Sequence, residues 1–473
     1  MGEKMKVLFI HPSSGYLEYA ANYYVTTDPL LPPLGILYLG KILENNDHNV
    51  EVIDCNAEKD PKDTIRKEVK SSDAIGMTLY CHKHEQNNSL SIADFIREID
   101  LDVPIIIGGP HSTLLPEESL KSHKANICVR GRGDPVINPI IEALMGKRDL
   151  SSIPNIYYKD GKKISHTETK KINNKLDELP FPARHLVDKY SYGFMQGQKI
   201  AKGRLTSIIT ARGCANKCYF CNLHAHIPDC SFRSAENIKK EINEISEKGY
   251  KTLAFVDDNF MIRKKLVLEL MEYIKNNDFG LKLWIFGARA DSAERSLYEK
   301  LREAGTEAIL YGIESGSQEI LDYYNKKLTI PQIKKAVNLA KDMGFFTSGT
   351  FIIGSPKETK KHINETIKLA SSLPLDSAVF FAFHYTYKSK LWMDAVNEGK
   401  LRDDEYRIMP DKNRGLGNFT PEEIKKYTRK ANINFFLNPN RIIRTINNAI
   451  IQKDFRAFFQ GIEMFKKITT EKS

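Results

Sequence analysis

The sequence predicts an α/β protein with two wound parallel sheets in series. A Rossmann-like domain is expected over residues 1–145 and a partial (β/α)6 barrel over residues 201–385, with a linker between them (146–200) and a helical C-terminal segment (386–473). Three observations carry this. Short apolar, β-branched runs alternate with amphipathic stretches from Val7 to Val129 and again from Leu205 to Phe383. Glycines and polar residues stand directly after the run ends, where such sheets place their ligands. One run, Leu205–Thr210, leads straight into three cysteines spaced C-x3-C-x2-C: Cys214, Cys218 and Cys221.

Size and composition set the frame. At 473 residues the chain exceeds one ordinary core, so two or three domains are expected. It is 41% hydrophobic and 27% charged, ordinary values for a globular protein. A formal charge of +10 over this length permits an acidic substrate or an anionic surface and does not call for nucleic acid. No apolar run approaches the length of a membrane span. Met1-Gly2-Glu3-Lys4-Met5-Lys6 enters the first strand directly, which leaves no room for a signal peptide. Seven cysteines, an odd number with three clustered, do not form a disulfide framework, so a cytoplasmic location is expected.

In the first domain, Val7–Ile10 is a strand, Pro33–Asn45 a helix, Val50–Ile53 a strand and Lys62–Lys70 a polar helix. Ala74–Leu79 is the third strand and Leu90–Ile99 the third helix. Pro104–Ile107 then runs into Gly108-Gly109-Pro110-His111, and Ile127–Val129 into Gly131-Arg132-Gly133-Asp134. Gly108 and Gly109 would let backbone approach a ligand, and Thr78 offers a hydroxyl; taken alone, the glycines read more simply as tight strand-to-loop turns. No G-x-G-x-x-G is present, so nothing supports a nicotinamide cofactor. Cys81-His82-Lys83-His84 could hold a metal, but reads more simply as a polar loop.

The linker holds a hairpin, Ile153–Tyr158 and Lys163–Ser165 around Lys159-Asp160-Gly161-Lys162, and then the proline-stiffened crossing Leu176–Arg184. The barrel follows as six strand–helix units. Its expected strands are Leu205–Thr210, Thr252–Val256, Leu281–Phe286, Ala308–Tyr311, Thr347–Ile353 and Ala378–Phe383. Ala235–Lys248, Lys264–Asn276, Ala293–Ala304, Ile330–Met343 and His362–Ser371 are the helices, with Ser234 as an N-cap. Six units are fewer than the eight of a closed barrel. Polar groups follow the strands: Asp257-Asp258, Arg289, Glu314-Ser315 and the Gly349–Gly354 stretch.

Three thiolates so closely spaced, with the aromatic Phe220 before the last, suit an iron–sulfur cluster with one iron left free. Zinc shared with His224, His226 and Cys230 is the rival, and plain structural cysteines the third reading. The stretch from Ser207 to Asn222, with D-D-N-F, A-R-x-D, G-I-E-S-G-S and F-I-x-G-x-P after later strands, closely resembles the radical S-adenosylmethionine (SAM) enzymes. That resemblance implies a [4Fe-4S] cluster on Cys214, Cys218 and Cys221. It also implies a SAM site lined by Phe220, Asp257, Asp258, Arg289, Glu314, Ser315 and Gly354, and anaerobic surroundings.

Pro32–Leu39, Asp54-Cys55-Asn56-Ala57 and Gly108-Gly109-Pro110-His111 resemble the cobalamin-binding domain that precedes the radical SAM core in cobalamin-dependent members, which include the anaerobic magnesium-protoporphyrin ester cyclases and C-methyltransferases. The likeness implies that Leu34, Gly35, Thr78, Gly108, Gly109 and His111 surround cobalamin. Two departures stand out. Asp54 is followed by Cys55 and Asn56, so the D-x-H-x-x-G that puts a histidine beneath cobalt in other cobalamin proteins is absent. After the last strand Tyr385-Thr386-Tyr387-Lys388 replaces the usual P-Y-P-G-T, so the substrate is not carried over.

The implied chemistry cleaves SAM to a 5′-deoxyadenosyl radical, which takes hydrogen from an unactivated carbon; in the methyltransferase branch, methylcobalamin then supplies methyl. The implied partners are a small-molecule or lipid substrate and an electron donor such as flavodoxin or ferredoxin, with no nucleic acid. The rivals are a cobalamin-dependent cyclase or rearrangement enzyme, a methylthiotransferase with a second cluster on Cys55, Cys81 and Cys128, and a non-catalytic cobalamin sensor. At the carboxyl end, Thr420-Pro421-Glu422-Glu423 starts a helix over Glu422–Leu437, and a second is expected over Arg441–Lys467. The aromatics Phe435, Phe436, Phe455, Phe458, Phe459 and Phe465 among basic residues are expected to pack on the barrel, with peripheral membrane contact as the alternative.

Overall fold

The unbroken apolar run at Val7–Ile10 becomes a central strand buried on both faces, as a parallel sheet requires. In the computed structural model, which describes residues 4–13, 29–81, 83–171, 175–195, 198–439, 441–443 and 446, two compact units meet in sequence at Tyr192 and Gly193. In the first, β1 (Lys6–His11) lies between β2 (Asn49–Asp54) and β3 (Ala74–Thr78), all parallel. Parallel β4 (Ile105–Gly108) and β5 (Ile127–Val129) continue the sheet; antiparallel β6 (Ile156–Asp160) and β7 (Lys163–His166) complete the order β2-β1-β3-β4-β5-β6-β7. Helices α1 (Leu34–Glu44), α2 (Pro61–Val69), α3 (Lys83–Ile99), α4 (Pro110–Leu114), α5 (Pro116–Ser122) and α6 (Ile137–Leu144) fill the connections.

The hairpin expected within the linker thus extends the first sheet. The proline-rich crossing packs on the same unit: Ala183 N–H donates to the Leu37 carbonyl, Tyr190 to Glu58 and Tyr192 to Asp54. The stretch expected as a polar loop at residues 81–84 gives way to α3 already at Lys83; His82 lies outside the described residues.

The second unit opens with a short hairpin, β8 (Phe194–Met195) and β9 (Gln198–Lys199). Its six-stranded parallel sheet comprises β10 (Leu205–Ile208), β13 (Thr252–Phe255), β14 (Lys282–Ala288), β15 (Thr306–Glu314), β16 (Phe346–Ile353) and β17 (Ser377–Ala382), paired in that order. Sequential pairing of parallel strands is the winding of a (β/α) barrel, and here β10 and β17 are the open edges. Between β10 and β13 lie β11 (Ala211–Arg212), the short helix α7 (Leu223–His226), β12 (Ser231–Phe232) and α8 (Ala235–Glu247). The remaining helices are α9 (Lys264–Asn276), α10 (Arg295–Glu303), α11 (Gln318–Tyr323), α12 (Ile330–Asp342), α13 (Lys360–Ser372), α14 (Lys390–Asn397) and α15 (Pro421–Phe436).

Local chemistry explains the helix starts. Ser234 caps α8 through the Asn237 N–H, and Thr329 and Thr420 each form a capping box before a Pro in the first turn. The amphipathic faces of α8, α9, α10, α12 and α13 meet the sheet in one core that includes Ile238, Leu270, Leu297, Val337 and Ile363. α15 joins it through Ile424, Ala431, Phe435 and Phe436, the Phe435 ring lying 6.3 Å from Phe380. Of the second expected C-terminal helix, residues 447–467 lie outside the described residues, and with them Phe455, Phe458, Phe459 and Phe465.

Candidate functional site

The three cysteines sit on a loop over residues 213–230 whose ends are tied by the antiparallel pair β11–β12, Ala211 facing Phe232 and Arg212 facing Ser231. Buried charges anchor this stem. The Asp257 carboxylate accepts the Thr210 N–H at 2.6 Å, the Thr210 hydroxyl at 2.6 Å and the Ala211 N–H at 2.9 Å. Burial pushes its pKa up to about 6 against those bonds. Asp258 accepts the Gly213 N–H at 3.1 Å. At the other end Arg233 pairs with Glu241 at 2.5 Å, both nearly inaccessible, and donates to the Ile209 carbonyl at 2.8 Å.

The tip is clamped too. Tyr219 N–H donates to the Tyr324 carbonyl at 2.9 Å, Leu391 N–H to the Tyr219 carbonyl at 3.0 Å, and the Asn325 side chain to the Lys217 carbonyl at 2.8 Å. The loop is therefore held at both its stem and its tip by the barrel. The Cys214 sulfur faces the Asn216 amide and the Cys221 sulfur faces the Leu223 N–H, each at 3.5 Å. N–H groups aimed at sulfur are what cluster thiolates use. Burial raises the Cys218 pKa and pushes Cys221 up to about 11, so bare thiolates are disfavoured and a cationic metal cluster is the natural counter-charge.

The donor set therefore fits a sulfur-ligated cluster. Of the ligands of the zinc alternative, His224 is engaged with the Asn216 carbonyl at 2.9 Å. A second cluster on Cys55, Cys81 and Cys128 is not assembled. Cys55 follows β2 and Cys128 lies in β5, with β1, β3 and β4 between them. Four strand spacings are about 19 Å.

Beside the cysteines, Lys326 and Glu314 form a buried ion pair at 2.7 Å. Glu314 has φ +68° at a bulge between β15 and β16. Gly312 makes room: a Cβ there would lie 2.6 Å from the Glu314 carboxylate. The Lys326 ammonium is 6.0 Å from the Phe220 ring centroid, and that ring packs on Tyr324 at 4.9 Å. Buried Arg289 binds Asp291 at 2.9 Å and the Lys326 carbonyl at 2.8 Å through Nη2, while Nη1 has no partner among the described residues. The charges of Lys326, Arg289 and Glu314 all act on Cys218. These groups suit the amino-carboxylate end of a SAM-like ligand, carboxylate to guanidinium and ammonium to Glu314.

The other expected SAM residues are placed differently. Asp257 and Asp258 hold the cysteine loop. The Ser315 hydroxyl is fully buried, 3.1 Å from Thr366 on α13. Gly354 lies beneath Ile424, its N–H bonded to Glu358 at 2.5 Å. Lys326 was not found from sequence; a lysine in the loop Asn325-Lys326-Lys327 carries no motif signal.

In the first unit, Thr78 and Gly108 are register partners at the carboxyl ends of β3 and β4. Gly109 has φ +101°, and a Cβ there would lie 2.8 Å from both Thr78 Oγ1 and the Leu79 carbonyl. His111 N–H bonds the Leu79 carbonyl at 3.1 Å and its ring meets Gln86 at 2.9 Å. Leu34 and Gly35 open α1, with space around Gly35. Thr78, Gly108, Gly109 and His111 therefore gather at one end of the sheet, the end where open α/β sheets bind ligands.

Comparison with known proteins agrees with both units. Residues 208–370 match the Radical SAM superfamily and residues 23–138 the B12 binding domain. An uncharacterized methyltransferase of Pyrococcus horikoshii is 29% identical over 93% of this chain and 95% of its own length. The anaerobic magnesium-protoporphyrin IX monomethyl ester cyclase of Rubrivivax gelatinosus is 29% identical over 79% of this chain and 67% of its own. The radical SAM methyltransferase TsrM of Kitasatospora setae, solved with cobalamin and a [4Fe-4S] cluster, shares the fold at TM-score 0.67 and 16% identity, over 84% of this chain and 78% of its own. The cobalamin-dependent SAM radical enzyme OxsB, solved with aqua-cobalamin and SAM, does so at 0.69 and 17%, over 98% and 72%. The chain thus carries a B12-binding domain ahead of a radical SAM domain with a clamped cysteine loop, the pairing of the cobalamin-dependent radical SAM enzymes, whose cofactors are a [4Fe-4S] cluster, SAM and cobalamin.

Proposed function

We propose that the enzyme is a C-methyltransferase acting on an unactivated carbon of a small molecule or lipid. One observation carries the choice: the methyltransferase relative aligns over 95% of its own length, whereas the cyclase relative aligns over 67%. The bound cofactors supply a carbon-centred radical and a methyl donor. The chain's own contribution is placement and exclusion of water. Cys214, Cys218 and Cys221 hold the cluster, Arg289 and Glu314 grip the two charged ends of the amino-carboxylate, and Lys326 orients Glu314. Asp257, Asp258 and Arg233 fix the loop on which the thiolates stand. An acidic flavoprotein or ferredoxin is the proposed electron source, and no nucleic-acid partner is proposed.

The test is anaerobic reduction of the cobalamin-loaded enzyme with SAM labelled in its methyl group, in extracts containing the native substrate pool. Methyl transfer predicts 5′-deoxyadenosine together with a labelled carbon–methyl product. Release of 5′-deoxyadenosine with an unlabelled, cyclised or rearranged product would move the assignment to the cyclase branch. No 5′-deoxyadenosine at all would leave a cobalamin sensor.

A further inference from the structure

One group of side chains in the first unit has no role so far. His11 ends β1 and Asp54 ends β2, and the two are register partners, so parallel pairing sets them side by side. His11 Nδ1 lies 3.0 Å from Asp54 Oδ1. Asp54 is 1% exposed, and its carboxylate also receives the Asn56 N–H and side-chain amide, each at 3.0 Å on Oδ1, and the Tyr192 hydroxyl at 3.0 Å on Oδ2. Asn56 Nδ2 also lies 3.3 Å from Nδ1; with Asp54 as the acceptor at Nδ1, the ring would present its Nε2 lone pair. Nε2 faces the Tyr80 hydroxyl at 3.2 Å.

The location gives this pair its meaning. The strand order β2-β1-β3 reverses the winding between β1 and β3, so the crevice at their carboxyl ends is the switch point where an open sheet takes its ligand. His11 ends one wall and Tyr80 lies just past the other. Metal-binding histidines commonly donate their second N–H to a carboxylate, which orients the ring and strengthens it as a donor. His111, at the neighbouring strand end, has Gln86 at its Nδ1 in place of a carboxylate.

We propose that His11 supplies the lower axial nitrogen to cobalt, with Asp54 as its orienting carboxylate and the Tyr80 hydroxyl as the partner that Nε2 exchanges for the metal. The proposal rests on the cobalamin assignment and adds to it the ligand that a contiguous motif does not provide: the aspartate and the histidine come from adjacent strands.

Electron paramagnetic resonance of the full chain loaded anaerobically with cob(II)alamin tests this. The expected cobalt lines are split into triplets by one nitrogen and become doublets when the protein carries ¹⁵N-histidine. His11→Gln, which can still hydrogen-bond Asp54, is expected to keep corrin uptake and lose the splitting; Asp54→Asn is expected to weaken it. Unsplit lines in the wild type, or triplets unchanged by ¹⁵N-histidine, would overturn the proposal, the second pointing to the cofactor's own base. A chain that takes up no corrin overturns the underlying assignment instead, and its optical spectrum shows this before any splitting is sought.

Discussion

At the scale of single residues, the acids after the barrel strands divide by partner: Glu314 pairs with a buried lysine, while Asp257 and Asp258 bond the backbone of the cysteine loop. Asp257 satisfies three donors at the root of the cysteine loop. Asp257→Ala is expected to destabilise the protein by about 3 kcal/mol, since buried unpaired donors result, and to lower the iron bound per chain; urea unfolding and iron analysis check both. Lys326→Ala strands the Glu314 charge, which predicts a loss of about 3 kcal/mol and weaker SAM binding by calorimetry. Glu358 is fully buried under the Gly354–Ser355 N–H groups, and burial pushes its pKa up to about 8. A carboxyl raised in the folded state binds its proton more tightly there than when unfolded. Its contribution is therefore complete below its ordinary range and declines as pH rises toward 8. Glu358→Gln is expected to flatten the fall in thermal midpoint between about pH 5 and about pH 9; an unchanged slope would rule Glu358 out as its source. The cysteines and Glu314 were legible because their spacing or motif is contiguous. Lys326 and the His11–Asp54 pair were not, because each depends on contacts between segments that carry no shared pattern.

Elements were the most readable level, for a physical reason. The barrel strands are apolar runs and the covering helices carry one apolar stripe each, so periodicity marks both. Thr252–Val256 and Ile330–Met343, read from sequence, differ from β13 and α12 by one residue at most. The β11–β12 stem escaped because a two-residue ladder has no period, and α4 and α5 because Pro110 and Pro116 sit at helix starts that read as turns. The C-terminal helix α15 is both capped and packed: its Thr420 box satisfies its first N–H groups while Ile424 covers Gly354. Thr420→Ala should cost about 1 kcal/mol in denaturant unfolding with little effect on cofactor content. Ile424→Asp, which buries a charge at the same helix, should cost several times more.

For the whole molecule, two sheets in sequence order, one mixed and one parallel, underlie the two family matches, and each unit collects its candidate groups at strand carboxyl ends. The hairpin β6–β7 shows where reading by segment falls short: turn chemistry identified it, while membership of the first sheet depends on an edge, β5, whose need for a partner no local pattern records. The stem and tip clamps of the cysteine loop have a consequence for handling the protein. Because Asp257, Arg233, Tyr324 and Leu391 bond the loop to the barrel, chelation should leave far-UV circular dichroism and the unfolding midpoint nearly unchanged. Iron and sulfide returned under reducing conditions should then restore the chromophore without refolding. The scaffold would then behave as a reusable socket for the cluster.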